Sequence, residues 1–378
     1  MPTESYRNIL SHLQKENRLR SIPLPDPDAF KRLDLVSNDY LGLAQEADKY
    51  KAEFFRRFPD ADFSSSASRL LSRKNDYHLQ LEMLLEKLYR RPALLFNSGY
   101  HANVGIIQAL AIPGTLFIAD KLVHASAIDG LRLCGADYKR FAHNDLKKLS
   151  KLIKQNYEEY NRIIVVVESI YSMDGDIAPL KKLVELKKKY PKLLIYVDEA
   201  HAFGVRGDRG LGLCEELGII NKVDFIIGTL GKAAASAGAF VISSQLMKDY
   251  LLNCARSFIF STAISPAQAA WSILMIEKIV GMSARRLHLK RLSSTFVKLL
   301  SDKANIESPS ESQIVPVIIG DAGEALLFSR YLKEQGFDAL AIRRPTVAAG
   351  SERIRFSLNA LLEKDDIARL VSVIANYR

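Results

Sequence analysis

In the middle of the chain, short runs of β-branched residues alternate with stretches whose apolar residues recur at helical spacing. Three runs are clearest: Ile163 to Val167, Leu193 to Val197 and Phe225 to Ile227. Between the first two, Leu180, Leu183, Val184 and Leu186 share one face of a helix over Leu180 to Tyr190, and upstream Leu146, Leu149, Leu152 and Ile153 mark another. The alternation begins near Tyr77. Apolar strands separated by crossover helices predict an α/β fold whose sheet is mostly parallel and covered on both faces.

The two ends read differently. An amphipathic helix opens the chain, followed by the punctuated stretch Pro23-Leu24-Pro25-Asp26-Pro27 and the short run Leu33 to Leu43, so residues 1–45 are expected to form an arm. Residues 46–275 are expected to form the large α/β domain. After Pro266 a long helical region runs towards Leu300. Then come Val315-Pro316-Val317-Ile318-Ile319, a helix from Ala322 to Gln335 closed by Gly336, two more strands, the strand Arg353 to Leu358 and a final helix from Lys364 to Tyr377. That change of rhythm sets residues 276–378 apart as a smaller α+β domain. No internal repeat is visible.

Composition narrows the function classes. At 378 residues, with 48% hydrophobic and 25% charged positions, the chain can bury a large core, which excludes a disordered or fibrous protein. No run approaches the roughly 20 apolar residues of a membrane-spanning helix, and the first residues carry no signal-peptide pattern. The three cysteines, Cys134, Cys214 and Cys254, are too scattered for a disulfide framework or a thiolate metal site, so a reducing cytoplasmic location and no metal are expected. The net charge of +10 resides largely in runs such as Lys187-Lys188-Lys189 beside apolar residues at helical spacing. Without an aromatic platform or arginine cluster beside them, these read as solvated helix faces rather than a nucleic-acid surface.

In an open parallel sheet, ligands bind outside the carboxyl ends of the strands. Ile163 to Val167 runs into Glu168-Ser169-Ile170-Tyr171-Ser172, Leu193 to Val197 into Asp198-Glu199-Ala200-His201, and Phe225 to Ile227 into Gly228-Thr229-Leu230-Gly231-Lys232. A carboxylate, an imidazole and an amine therefore converge. Lys232, between small residues, can approach a carbonyl and be desolvated, which permits Schiff-base chemistry. A carboxylate such as Asp198 opposite a pyridine nitrogen would keep it protonated, as pyridoxal phosphate requires. Asn97-Ser98-Gly99-Tyr100-His101, before the helical pattern Val104, Ile107, Leu110, suits a phosphate at a helix N-terminus.

These segments, together with Ser37-Asn38-Asp39-Tyr40-Leu41-Gly42-Leu43, occur in the order seen in the α-oxoamine synthases, which the chain resembles over nearly its whole length. Arg343-Arg344-Pro345-Thr346-Val347 and Arg353-Ile354-Arg355-Phe356-Ser357 extend the resemblance towards the branch that makes 8-amino-7-oxononanoate for biotin. The resemblance implies the aspartate-aminotransferase fold, fold type I of the pyridoxal-phosphate enzymes, as a homodimer with active sites at the subunit interface. It implies Lys232 as the Schiff-base lysine, Asp198 at the ring nitrogen, and His201 and Ser172 at the phenolic oxygen. His124 is expected to stack on the ring and meet the substrate. Gly99, Tyr100 and Thr229 are expected to hold the phosphate, with Ser261 and Thr262 reaching in from the other subunit. Arg355 and Asn38 are assigned the carboxylate of L-alanine, and Arg20 and Thr346 the acyl group carried by coenzyme A or a carrier protein.

Two departures bear on the acyl pocket: Arg73 stands where a glycine is common, and Ala348 where proline is usual. If that glycine has positive φ, arginine there is costly and the loop Ser64 to Arg73 must differ. A glycine acetyltransferase, a serine palmitoyltransferase and a non-catalytic partner subunit of the same fold remain alternatives at this point. A hydrolase does not fit, since Ala234-Ala235-Ser236-Ala237-Gly238 lacks the first glycine of a nucleophile elbow.

Overall fold

The computed structural model describes residues 3–73 and 76–377. Its strands are β1 (Leu33–Asp34), β2 (Ala93–Phe96), β3 (Thr115–Asp120), β4 (Asp137–Phe141), β5 (Arg162–Glu168), β6 (Leu193–Asp198), β7 (Phe225–Thr229), β8 (Ala239–Ile242), β9 (Ile314–Ile318), β10 (Phe337–Asp338), β11 (Leu340–Ile342) and β12 (Arg353–Ser357). Residues group into two compact units. One comprises Met1–Asn38, Met173–Asp176 and His288–Arg378; the other comprises Asp39–Ser172 and Ile177–Leu287.

The larger unit holds a seven-stranded sheet in the order β2-β8-β7-β6-β5-β3-β4. Every pairing from β7 to β4 is parallel, and β8 alone runs antiparallel to both its neighbours. The three runs read from the sequence are the central strands β5, β6 and β7, each extended by one or two residues. Their buried residues on both faces explain the unbroken apolar sequence. At the edge, β4 is Asp137-Tyr138-Lys139-Arg140-Phe141, exposed except at Phe141, and a polar edge strand leaves no apolar signal to read. The helical stretch after Pro266 is two helices, Pro266–Val280 and Ser283–Ala304, with Gly281 capping the first.

In the smaller unit β9, β12 and β11 form an antiparallel sheet with β12 in the middle. Pro316 lies on β9, an edge strand, where a missing N–H is tolerated. The run Leu33 to Leu43 contributes only the two residues of β1, paired parallel with β10. The opening helix, Glu4–Lys15, buries none of its residues.

Close packing in the large sheet fixes the path of the strand leading to Lys232. Gly228 on β7 faces Phe240 on β8, and a Cβ at Gly228 would lie 2.1 Å from Phe240 Cζ. Phe240 is itself held edge-on by Phe203 at 5.0 Å between ring centres. Gly228→Ala must therefore displace that ring, and we expect a loss of about 1–3 kcal/mol of stability. Denaturant unfolding of the variant beside the parent measures it.

Candidate active site

The end of β7 places Lys232 through a tight, over-determined turn. Leu230 N–H bonds Gly238 O at 2.9 Å, Ser236 N–H returns to Leu230 O at 2.9 Å, and Ala235 N–H closes on Lys232 O at 2.8 Å. Ala235 takes a left-handed φ of 47°, uncommon for a residue with a side chain, and Trp271 Nε1 pins its carbonyl at 2.9 Å. Such strain persists only where surrounding bonds enforce it. The turn brings Lys232 Nζ within 2.7 Å of His201 Nε2, and the buried Tyr40 hydroxyl lies 2.6 Å from His201 Nδ1.

At the end of β6, Asp198 is buried with both carboxylate oxygens engaged. Oδ1 accepts from Ala200 N–H at 2.9 Å and Oδ2 from Asn103 Nδ2 at 2.8 Å. Asn103 also donates to Ser126 Oγ at 2.9 Å, while its own oxygen accepts from Tyr196 OH at 2.6 Å. His124 caps the helix Ala125–Leu133, its Nδ1 accepting Ser126 N–H at 3.2 Å. A neutral His124 therefore carries its proton on Nε2. His124 is exposed on the cavity lining, with its ring partly desolvated by the protein beside it. That desolvation, with the Lys232 charge adding to it, pushes the imidazole below its ordinary value against the pull of Asp198.

Glu168 ends β5 in register with Asp198. It is buried, and its Oε1 has no hydrogen-bond partner. Burial first, and the Asp198 charge second, drive its carboxyl well above the usual range, only partly opposed by Lys232 and the backbone N–H groups of His124 and Ser172. Ser98 caps the helix Gly99–Leu110, so the helix N-terminus opens at Gly99 and Tyr100. The Tyr100 hydroxyl donates to Asp129 Oδ2 at 2.5 Å, which raises its own pKa.

Together these groups line one open cavity. Of the residues singled out in the sequence it gathers Gly99, Tyr100, His124, Asp198, His201, Thr229 and Lys232, and it adds Asn103, Ser126, Glu168 and Ala200. Ser172 is buried but is not part of this lining. Nor are Ser261 and Thr262 part of it; within the chain the Thr262 carbonyl accepts from Asn97 Nδ2 at 2.5 Å, beside Ser98. In the loop Ser64 to Arg73 the left-handed residue is Ser66, at φ 48°, and not Arg73, so the arginine occupies ordinary backbone.

The smaller unit pairs the remaining candidates. Arg355 Nη2 lies 3.1 Å from Asn38 Oδ1, and its Nη1 donates to Ser357 Oγ at 2.7 Å, all three on buried or half-buried side chains. Arg20 Nη2 donates to Thr346 Oγ1 at 3.1 Å in exposed surroundings.

The model of the aminotransferase class I and II family matches residues 31–374. The chain belongs to that family. It is similar to the 8-amino-7-oxononanoate synthase of Haemophilus ducreyi, with 45% identity over 352 residues and 91% of each chain covered. Among solved structures, a serine palmitoyltransferase from S. paucimobilis with a bound PLP–myriocin aldimine superposes at a TM-score of 0.89, with 26% identity over 99% of this chain and 97% of that one. An 8-amino-7-oxononanoate synthase from Francisella tularensis superposes at 0.79, with 28% identity over 92% and 98% of the two chains. The fold is thus that of the fold type I pyridoxal-phosphate enzymes, with a mostly parallel sheet and a small antiparallel C-terminal sheet.

In this member of the class I and II aminotransferase family, sequence reasoning passed over Asn103, Tyr196, Ser126 and Tyr40, and gave Glu168 no role. Asn103 did leave a signal. It is a polar residue, 1% exposed, inside the apolar pattern of the helix Gly99–Leu110, and a buried amide must find partners.

The depressed His124 makes a measurable prediction. Because partial desolvation disfavours its charged form, His124 should titrate below an ordinary histidine and stay neutral at pH 7. Its contribution to folding is complete above the unfolded-state value and declines as pH falls through that value towards the folded one. An NMR titration of the ring protons checks it; a midpoint at or above the ordinary value contradicts the assigned environment.

Proposed function

We propose that the chain condenses L-alanine with a pimeloyl thioester to give 8-amino-7-oxononanoate, carbon dioxide and free thiol in biotin synthesis, with pyridoxal phosphate as cofactor. One observation carries the reading: Lys232, Asp198 and His201 meet in one cavity at adjacent strand ends. The chain is also 45% identical to a synthase of that name, whereas the serine palmitoyltransferase shares 26%.

The cavity residues suit the cofactor. An amine for its carbonyl, a buried carboxylate for its ring nitrogen and the N-terminus of the Gly99–Leu110 helix for its phosphate lie on one lining. Space is available at Gly99, where even an added Cβ would meet nothing nearer than Thr229 Cβ at 3.8 Å. When bound, pyridoxal phosphate supplies an electron sink for the carbon beside the substrate's amino group.

The chain's own residues do the remaining work. Lys232 holds the cofactor and, once released, its amine takes the proton from Cα of alanine. Asp198, fixed by Asn103 and the Ala200 N–H, would face the ring nitrogen. When the cofactor is bound, His124 would stack on the ring, while His201 and Ser172 would serve its phenolic oxygen. Arg355 and Asn38 bind the alanine carboxylate, which a guanidinium does with two parallel bonds, and Arg20 and Thr346 bind the acyl group. Attack of Cα on the thioester displaces the thiol of coenzyme A or a carrier protein, and the alanine carboxylate then leaves as carbon dioxide.

The homodimer belongs to this proposal, with Ser261 and Thr262 serving the partner subunit's cofactor. It is in keeping with Phe63, Leu71 and Phe260, which are 79%, 78% and 71% exposed in the single chain. A cytoplasmic location is in keeping with Cys134, Cys214 and Cys254 as free thiols, and among the described residues no helix is long and apolar enough to cross a membrane.

Kinetics with alanine, glycine and serine, each against pimeloyl-, acetyl- and palmitoyl-CoA, test the reaction. We expect alanine with pimeloyl-CoA to be preferred; preference for glycine with acetyl-CoA or serine with palmitoyl-CoA overturns the substrate assignment. Separately, Lys232→Ala should fold and take up the cofactor weakly, yet leave none attached after borohydride reduction. Peptide mapping that finds the cofactor on another lysine removes Lys232 from its role.

A further inference from the structure

The contact between Lys232 and His201 has a third member. His201 Nε2 lies 2.7 Å from Lys232 Nζ, and its Nδ1 lies 2.6 Å from the hydroxyl of Tyr40, a side chain with no solvent exposure. An ammonium can only donate, so a protonated Lys232 must use the Nε2 lone pair. A neutral His201 then carries its proton on Nδ1, and the Tyr40 oxygen accepts it. We propose that His201, held in this orientation by Tyr40, takes a proton from Lys232 and so presents Lys232 as the neutral amine that captures the cofactor's aldehyde. The proposal rests on the reading of Lys232 as the cofactor-holding lysine.

The proton balance is simple. The Nζ–H bond breaks as Nε2–H forms, leaving Lys232 with a free electron pair and His201 as imidazolium. The Nδ1–H bond to Tyr40 is kept throughout, so the imidazolium has an acceptor already in place. Condensation of the amine with the aldehyde forms the C=N bond and releases the carbonyl oxygen as water with the two amine protons. The proton held on His201 can then return to the new nitrogen.

The surroundings favour such an exchange. The other titratable groups on the cavity lining are Asp198, Glu168, His124 and Tyr100, and Tyr196 stands behind Asn103. Burial keeps Glu168 towards its neutral form and Tyr196 un-ionised, partial desolvation favours neutral His124, and the bond to Asp129 keeps Tyr100 un-ionised. The proposed transfer moves one positive charge between Lys232 and His201, opposite Asp198. Moving it 2.7 Å leaves the charge of the cavity unchanged and demands no new desolvation.

Tyr40 acts through His201 and is a positioning residue. Its test uses cofactor-free full-length protein and Tyr40→Phe, which removes one oxygen. Histidine ¹⁵N spectra of the parent protein should show His201 protonated on Nδ1; a spectrum protonated on Nε2 alone overturns the proposal, whatever the variant does. The rate of pyridoxal phosphate capture against pH is the second readout. Without the Tyr40 oxygen the imidazolium loses its acceptor, Lys232 keeps its proton longer, and the profile should move up by about one pH unit. A merely structural tyrosine would lower the melting temperature and leave the profile in place, and that outcome overturns the proposal too. Borohydride reduction of both proteins separates the two readings. Cofactor fixed to Lys232 with the same pH profile in both defeats only the role of Tyr40 and His201, whereas cofactor fixed elsewhere defeats the assignment of Lys232.

Discussion

A carboxylate buried at the end of a central strand governs how the larger unit is built. Taking Asp198 out of water is costly unless its oxygens are bonded and a positive group stands near. The backbone N–H of Ala200 and the amide of Asn103 supply the bonds. That demand propagates: Asn103 must be oriented, so its oxygen is tied to Tyr196 on the same strand as Asp198, and its nitrogen also bonds Ser126 beside His124. One buried charge thus links β6, the helix Gly99–Leu110 and the helix Ala125–Leu133.

The same constraint explains why two carboxyls at matched positions behave differently. Glu168 and Asp198 are register partners on adjacent strands, and two like charges so placed cannot both be retained cheaply. Asp198 has donors on both oxygens. Glu168 has an oxygen with none, and its burial pushes it towards the neutral acid. Of the two, Asp198 is the carboxyl whose orientation is fixed by donors, and on the function proposed above it would face the ring nitrogen.

How much of this could be read in the sequence follows from which forces leave a linear trace. Strands buried on both faces need unbroken apolar runs, so β5, β6 and β7 were visible together with the polar residues just beyond them, and those residues contain most of the cavity. The edge strand β4 was not visible, because solvent faces it and its residues are polar. Asn103 and Tyr40 act over long separations, through bonds to Asp198 and His201 that lie 95 and 161 positions away. No local pattern encodes such a pairing. Arg355 with Asn38, and Arg20 with Thr346, were found only because whole motifs resemble those of a known family; nothing in their spacing, 317 and 326 positions, announces contact.

The two arginine pairs of the smaller unit differ in burial, and on the function proposed above that difference bears on how a shared scaffold could serve different acyl and amino-acid partners. At a TM-score of 0.89 and 26% identity, the backbone of the serine palmitoyltransferase follows this one over 99% of this chain, so the course of the backbone cannot by itself select a substrate. Selection must come from side chains. Arg355 is buried with its guanidinium held by Asn38 and Ser357, a rigid donor set suited to a group that every amino acid shares. Arg20 and Thr346 meet in the open, where a long side chain retains its freedom and one substitution changes what it can reach. On the function proposed above, common chemistry would fall to the buried Arg355 with Asn38, and discrimination between acyl groups to the exposed Arg20 with Thr346.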